Sequence, residues 1–136
     1  YSISSNNKEI IFGATSVGNP HAVIIVDDIE SASVKSTGNI LQKHGIFPEG
    51  VNVGFVQILD RKNIRLRVYE RGAGETLACG SGACAAVAVA CQQGYLEDVV
   101  DVELRGGHLI IRWEGSGKPI YMSGSVETVY EGEIEL

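Results

Sequence analysis

The sequence predicts an α+β domain in which many short strands wrap around one central helix. Three observations predict it. The run Ser81-Gly82-Ala83-Cys84-Ala85-Ala86-Val87-Ala88-Val89-Ala90-Cys91-Gln92-Gln93 is built of small residues and is apolar nearly all round, and a helix of that kind is buried on every side. On both sides of it lie β-branched or alternating stretches of strand length. The chain has 136 residues, 44% of them hydrophobic, which suits one core and a single domain over 1–136.

The elements follow in order. Residues 8–14 form a short strand, and Ser16-Val17-Gly18-Asn19-Pro20-His21 is a turn, since Gly, Asn and Pro together interrupt regular structure. His21-Ala22-Val23-Ile24-Ile25-Val26 is a buried strand, β-branched and almost wholly apolar. Residues 31–43 form an amphipathic helix with Val34, Ile40 and Leu41 on its apolar face and Gly45 near its end, although Gly38 falls in its middle. Residues 51–59 and 64–70 form a hairpin across Asp60-Arg61-Lys62-Asn63; in the second strand Ile64, Leu66 and Val68 alternate with Arg65 and Arg67. After the central helix, Gly94 supplies a stop. Residues 100–104 and 109–113 form a second hairpin about Arg105-Gly106-Gly107, and a last strand pair covers 120–136 with a break near Glu131-Gly132.

Composition excludes several classes. A net charge of −6 argues against a nucleic-acid partner. No apolar run reaches the ~18 residues of a membrane span, and the opening Tyr-Ser-Ile-Ser-Ser-Asn-Asn-Lys is not a secretory signal. The three cysteines, Cys79, Cys84 and Cys91, lack the C-x-x-C spacing of zinc or redox sites. Cys84 and Cys91, seven apart on one helix, are separated by ~10 Å, too far for a disulfide. Free thiols predict a reducing, cytoplasmic setting. The chain begins without Met, as though cut from something longer.

Cys79 stands immediately before Gly80-Ser81-Gly82 and the apolar helix. Unpaired backbone N–H groups and the positive dipole end of a helix favour an anion at that point. The glycines let a ligand approach the backbone closely. One loop therefore supplies a reactive thiol and a cradle for a carboxylate. Cys84 and Cys91, inside the helix, suit plain buried positions. Cys79 does not, since a glycine-flanked loop is expected to give it little apolar burial. His44 and His108 are expected at the surface.

The run Glu70-Arg71-Gly72-Ala73-Gly74-Glu75-Thr76-Leu77-Ala78-Cys79-Gly80-Ser81-Gly82 resembles the C-terminal signature of the diaminopimelate epimerases. Ser16-Val17-Gly18-Asn19-Pro20-His21, Pro48-Glu49-Gly50-Val51-Asn52-Val53 and Tyr121-Met122-Ser123-Gly124 resemble the same family at compatible positions. The resemblance covers essentially the whole chain. It implies a mostly antiparallel sheet wrapped as a partial barrel around the central helix, forming the C-terminal half of a two-domain enzyme whose N-terminal half is absent.

That family interconverts L,L- and meso-diaminopimelate in lysine and peptidoglycan precursor biosynthesis, with neither pyridoxal phosphate nor metal. Two cysteines, one from each domain, face each other across the substrate α-carbon. The resemblance makes Cys79 one of them. It makes Glu70 and His21 auxiliary acid/base groups, with Glu70 also pairing with a substrate ammonium. It gives the reacting carboxylate to the N–H groups of Gly80 and Ser81, a carboxylate to Arg71, and the distal amino-acid end to Asn19 and Asn52. The expected partners are diaminopimelate, the N-terminal domain of the same enzyme and a second copy in a homodimer, where Tyr121 and Tyr130 are contact material.

The residues themselves leave plainer readings open. Asn19 before Pro20 can be a turn former, His21 a satisfied histidine at a strand start, and Glu70 with Arg71 a surface ion pair. Proline racemases and phenazine-type isomerases are related alternatives. The Ala-Gly-Glu-Thr-x-Ala-Cys run weighs against the first, and the presence of Cys79 against the second. A non-enzymatic alternative is a fragment that only self-associates or binds. No second catalytic cysteine is available, because Cys84 and Cys91 share a helix with Cys79, so the chain alone is expected to be inactive.

Overall fold

The computed structural model describes residues 1–5 and 8–135. In chain order the elements are β1 (Ser2–Ser5), β2 (Lys8–Ile11), β3 (Gly13–Ser16), β4 (Pro20–Ile25), α1 (Val34–Lys43), β5 (Asn52–Ile58), β6 (Asn63–Glu70), β7 (Gly74–Thr76), α2 (Gly80–Gln92), β8 (Val99–Leu104), β9 (Gly107–Trp113) and β10 (Ile120–Gly124). Strands β1 and β2 pair with each other. The other eight form one sheet in the order β10-β9-β8-β6-β5-β4-β3, with β7 on β6.

Most joins are antiparallel, but β4–β5 and β6–β8 are parallel. Parallel neighbours need a long crossover. Here α1 lies between β4 and β5, and α2 between β7 and β8. The helices take opposite faces. Val23, Val56, Ile64, Leu66, Val68, Val100, Val102 and Ile111 pack with α2, while Ala22, Val51, Val53 and Phe55 pack with Val34 and Leu41 of α1.

The sheet must curl around α2. Laid flat, it would be about 29 Å across from β3 to β10, whereas a helix is about 10 Å wide. Yet α2 contacts both of those edge strands as well as β4, β5, β6 and β9. The expected arrangement of strands around one apolar helix is the one observed, and every residue of α2 from Gly82 to Ala90 is buried.

The structure also explains Gly38. A Cβ there would lie 2.5 Å from Tyr69 Cγ and 2.8 Å from Tyr69 Cβ, so α1 sits on β6 at the distance of a bare backbone. Its neighbour Gln42, one turn on, donates from Nε2 to the carbonyl of Glu70 at 2.8 Å.

Several boundaries differ from expectation. The strand expected over 8–14 breaks at Phe12, whose ring turns into the α1-side core (3% exposed), stacking on Tyr1 and meeting Phe47 at a tilt. Helix α1 starts at Val34 because Ser33 holds non-helical angles, φ −77° and ψ 56°. The final strand pair over 120–136 reduces to β10. Residues 125–135 form no regular element and leave Val126, Val129, Tyr130 and Ile134 exposed; Leu136 lies outside the described residues. The sequence predicts neither β1 nor β7.

Candidate active site

Strand parity builds the site. In β4 and β5 the residues that face α2 include Val23 and Val56, so His21 and Asn52, an even number of residues away, lie on the same face; they are register partners across the parallel join. In β6, Val68 faces α2 and Glu70 follows it by two. The sheet thus brings His21, Asn52 and Glu70 to the concave face, near the start of α2.

Cys79 is the N-cap of α2, with extended angles of φ −147° and ψ 105°. The first intrahelical bond runs from the N–H of Ala83 to the carbonyl of Cys79 at 2.9 Å. The N–H groups of Gly80, Ser81 and Gly82 therefore precede the hydrogen-bonded ladder and have no acceptor within the helix. Contrary to expectation, Cys79 is buried, at 8% exposure, and joins the α2-side core. The cause is its neighbour: a Cβ on Gly82 would lie 3.1 Å from Val68 Cγ2 and 3.2 Å from Cys79 Sγ. The bare glycine lets the thiol fold in against β6.

A chain of polar contacts leads away from that sulfur. Cys79 Sγ is 3.6 Å from Ser81 Oγ. Ser81 Oγ accepts a hydrogen bond from Asn19 Nδ2 at 3.4 Å. Asn19 Oδ1 lies 3.0 Å from His21 Nε2, which as an N–H donates to it. Asn19 is therefore more than a turn former, since its amide joins the β3–β4 turn to the head of α2. His21 is 2% exposed. Burial pushes its imidazole below the ordinary value, and the charge of Glu70 opposes that shift.

Glu70 and Arg71 are not an ion pair with each other. One carboxylate oxygen of Glu70 accepts from the hydroxyl of Thr76. Arg71 is exposed, and its Nη1 donates to the carbonyl of Glu49 at 3.1 Å. Asn52 is 5% exposed and ties the corner together: its Nδ2 donates to the carbonyl of Pro20 at 3.2 Å, and its Oδ1 accepts from the N–H of Arg71 at 3.0 Å. Both ends of this amide brace backbone, and each retains capacity for one further bond.

The structure thus joins Cys79, Ser81, Asn19 and His21 in one network and Glu70, Arg71 and Asn52 in a second, adjacent one. Sequence reasoning missed Thr76, although it lies within the quoted run, and Gln42, which carried no sequence signal. Cys84 is buried with its thiol pushed up in pKa, mainly by desolvation. The surface hollow of about 650 Å³ beside the start of α1, lined by Arg67 and Glu75, faces away from Cys79 and is no part of this site. Among the described residues no cluster of three or more His, Cys, Asp or Glu side chains is arranged to hold a metal ion.

Comparison with known proteins gives three findings. The family model described as diaminopimelate epimerase matches residues 13–129. The diaminopimelate epimerase of Alkalilimnicola ehrlichii is 54% identical over all 136 residues, which make up 49% of that relative; the chain spans about half its length. Among solved structures, a probable proline racemase from Agrobacterium radiobacter superposes with a TM-score of 0.65 at 20% identity, over 90% of this chain and 44% of that one. A hydroxyproline epimerase from Agrobacterium vitis gives 0.60 at 16% identity, over 90% and 43%. A phenazine biosynthesis protein of the PhzF family from Bacillus anthracis gives 0.56 at 20%, over 83% and 38%. At these identities the superpositions speak to fold alone.

Proposed function

The chain belongs to the diaminopimelate epimerase family, and from that premise we propose that it is the half of such an enzyme that supplies one acid/base thiol and the cradle for the reacting carboxylate. The observation that carries this reading is Cys79 at the N-cap of α2, beside free N–H groups and at the end of the Ser81–Asn19–His21 contacts.

The chemistry follows from the geometry. The α-proton of an amino acid is very weakly acidic, so charge must be stabilised as the proton leaves. The N–H groups of Gly80 and Ser81, aimed by the start of α2, meet the carboxylate where that charge collects. Cys79 as thiolate takes the proton on one face, and a thiol on the opposite face delivers another, which inverts the carbon. In the reverse direction the roles exchange. Two fixed groups avoid any need to turn the substrate. Neither cofactor nor metal enters these steps.

In this reading Glu70 faces the substrate ammonium, and His21 assists proton transfer through the buried network. Arg71 holds the distal carboxylate with its planar fork, and Asn19 and Asn52 use their remaining amide capacity at the distal end. The opposing cysteine belongs to an N-terminal domain of the same enzyme. A homodimer in the cytoplasm completes the reading. It is supported by the exposure of Tyr121 and Tyr130, at 51% and 84%. No helix among the described residues is long and apolar enough to cross a membrane.

The test is solvent exchange. In D₂O the whole epimerase incorporates deuterium at the α-carbon of diaminopimelate, Cys79→Ala abolishes it, and residues 1–136 alone give none. Exchange that survives Cys79→Ala in the whole enzyme overturns the role of the thiol. Cys79-dependent exchange by residues 1–136 alone overturns the need for a second domain.

A further inference from the structure

We propose that Thr76 is a positioning residue that holds Glu70 for the reaction. This rests on the reading of Glu70 as the group facing the substrate ammonium. Thr76 ends β7, which pairs antiparallel with the end of β6 in the register Val68↔Thr76, Tyr69↔Glu75, Glu70↔Gly74. Residues directly opposite in such a pair project to one face. Thr76 therefore shares the face of Val68, which packs with α2 and Cys79. Glu70, two residues along β6, shares it too.

The contact is specific. The Thr76 hydroxyl donates to Glu70 Oε1, and a carboxylate can only accept. On the other side of the same residue, Gln42 Nε2 holds the Glu70 carbonyl. Backbone and one carboxylate oxygen are both pinned. Among the described residues no group donates to the second oxygen. That is the state a carboxylate needs in order to meet a cation: one oxygen spent on orientation, the other unspent.

Thr76 is also separated from Cys79 by only Leu77 and Ala78. Its hydroxyl links the carboxylate at the end of β6 to the segment that delivers the thiol. Loss of that link frees the Glu70 side chain to sample other rotamers, which costs orientation at the reacting carbon. The substrate still binds through Arg71, Asn19 and Asn52, so the loss falls on turnover.

The test uses the full-length epimerase containing this chain. Thr76→Val keeps the shape and removes the hydroxyl; Thr76→Ser keeps the hydroxyl and removes the methyl. Thr76→Val is expected to lower kcat/KM for diaminopimelate by about tenfold, the size of a lost hydrogen bond to a charged group, with the change in kcat and KM nearly constant. Thr76→Ser is expected to stay within about threefold of wild type. If Thr76→Val does not fold, Thr76→Ala takes its place in the same comparison. Unchanged kcat in the hydroxyl-free variant overturns the proposal, as does Thr76→Ser falling as far as Thr76→Val, which would mean the methyl is what matters. Glu70→Gln in the same assay separates the two readings. If that variant loses turnover while Thr76→Val turns over normally, only the role of Thr76 fails. If Glu70→Gln turns over as wild type does, the reading of Glu70 fails first.

Discussion

Gly38→Ala inverts a familiar rule in this protein. In an exposed helix interior the change adds about 1 kcal/mol of stability through helix propensity. Here the new Cβ would stand 2.5 Å from Tyr69 Cγ, 2.7 Å from Cδ1 and 2.8 Å from Cβ. These atoms are the stem of the ring rather than a mobile tip, so α1 must lift or β6 must shift. Overpacking of that kind costs about 1–3 kcal/mol, which outweighs the propensity gain and leaves a net loss of up to about 2 kcal/mol. Thermal and urea unfolding of the full chain measure it; for a domain of this size each kcal/mol moves Tm by roughly 4 °C. The control is the same change made on Tyr69→Gly, which removes the Cβ at 2.8 Å as well as the ring. With the whole side chain gone the propensity term stands alone, and Gly38→Ala becomes stabilising by about 1 kcal/mol. A Gly38→Ala protein more stable than wild type, or a penalty that survives removal of the Tyr69 side chain, refutes this account. The site is reached as well, since Tyr69 precedes Glu70 and Gln42 holds the Glu70 carbonyl from the same helix.

Two further predictions concern charge. NMR titration of the imidazoles should place His21 below the ordinary histidine value, because it is buried, and His108 above it, because Asp101 accepts its Nδ1–H at 2.7 Å. The folded state then binds fewer protons at His21 than the unfolded chain does. Its contribution to stability is complete above pH ~6.5 and declines as pH falls from there through the lowered folded value; His21 titrating at or above the ordinary value contradicts the burial account. Glu75 accepts from Arg67 Nε at 2.7 Å and Nη2 at 3.1 Å and lies 3.0 Å from Arg105, so Glu75→Gln should cost about 1–2 kcal/mol at pH 7 in urea unfolding. The Arg67 hydrogen bonds, foremost, hold the Glu75 carboxyl below the usual carboxylate range. Its contribution is present above the unfolded value and lost as pH falls through the folded one. The penalty should therefore shrink in acid, and one that is constant from pH 7 to pH 3 refutes the pairing.

What could be read from the residues depended on how local the physics was. Helix α2 was legible because a helix apolar all round has only one place to go. The N-cap position of Cys79 was legible because Gly80-Ser81-Gly82 announces a helix start. The hairpins β5–β6 and β8–β9 were marked by alternation and by their turns. Phe12 was not legible as a break, since the ring leaves the strand only because Phe47 and Tyr1 receive it. Nor was the burial of Cys79, which depends on Val68 arriving from another element. The amides of Asn19 and Asn52 could be picked out as polar groups needing partners, but their partners, Ser81, Pro20 and Arg71, come from distant parts of the chain. The strand pair expected over 120–136 was legible only as far as β10, since residues 125–135 add no strand to that end of the sheet.

Helix α2 has a consequence for the order in which the protein can be made. It is synthesised before β8, β9 and β10, yet its apolar circumference is covered by strands from both sides of it in sequence, from β3 to β10. A ribosome that has just released Gln92 has exposed a helix that only the first half of the sheet can shield. Until about thirty more residues emerge, at ~5–20 residues per second, the remaining face is bare. The nascent chain is thus aggregation-prone for a few seconds at a defined length, and this window closes only when β9 and β10 fold over α2. A slow codon run or a pause placed just after α2 would lengthen that exposure, whereas one placed after β10 would not.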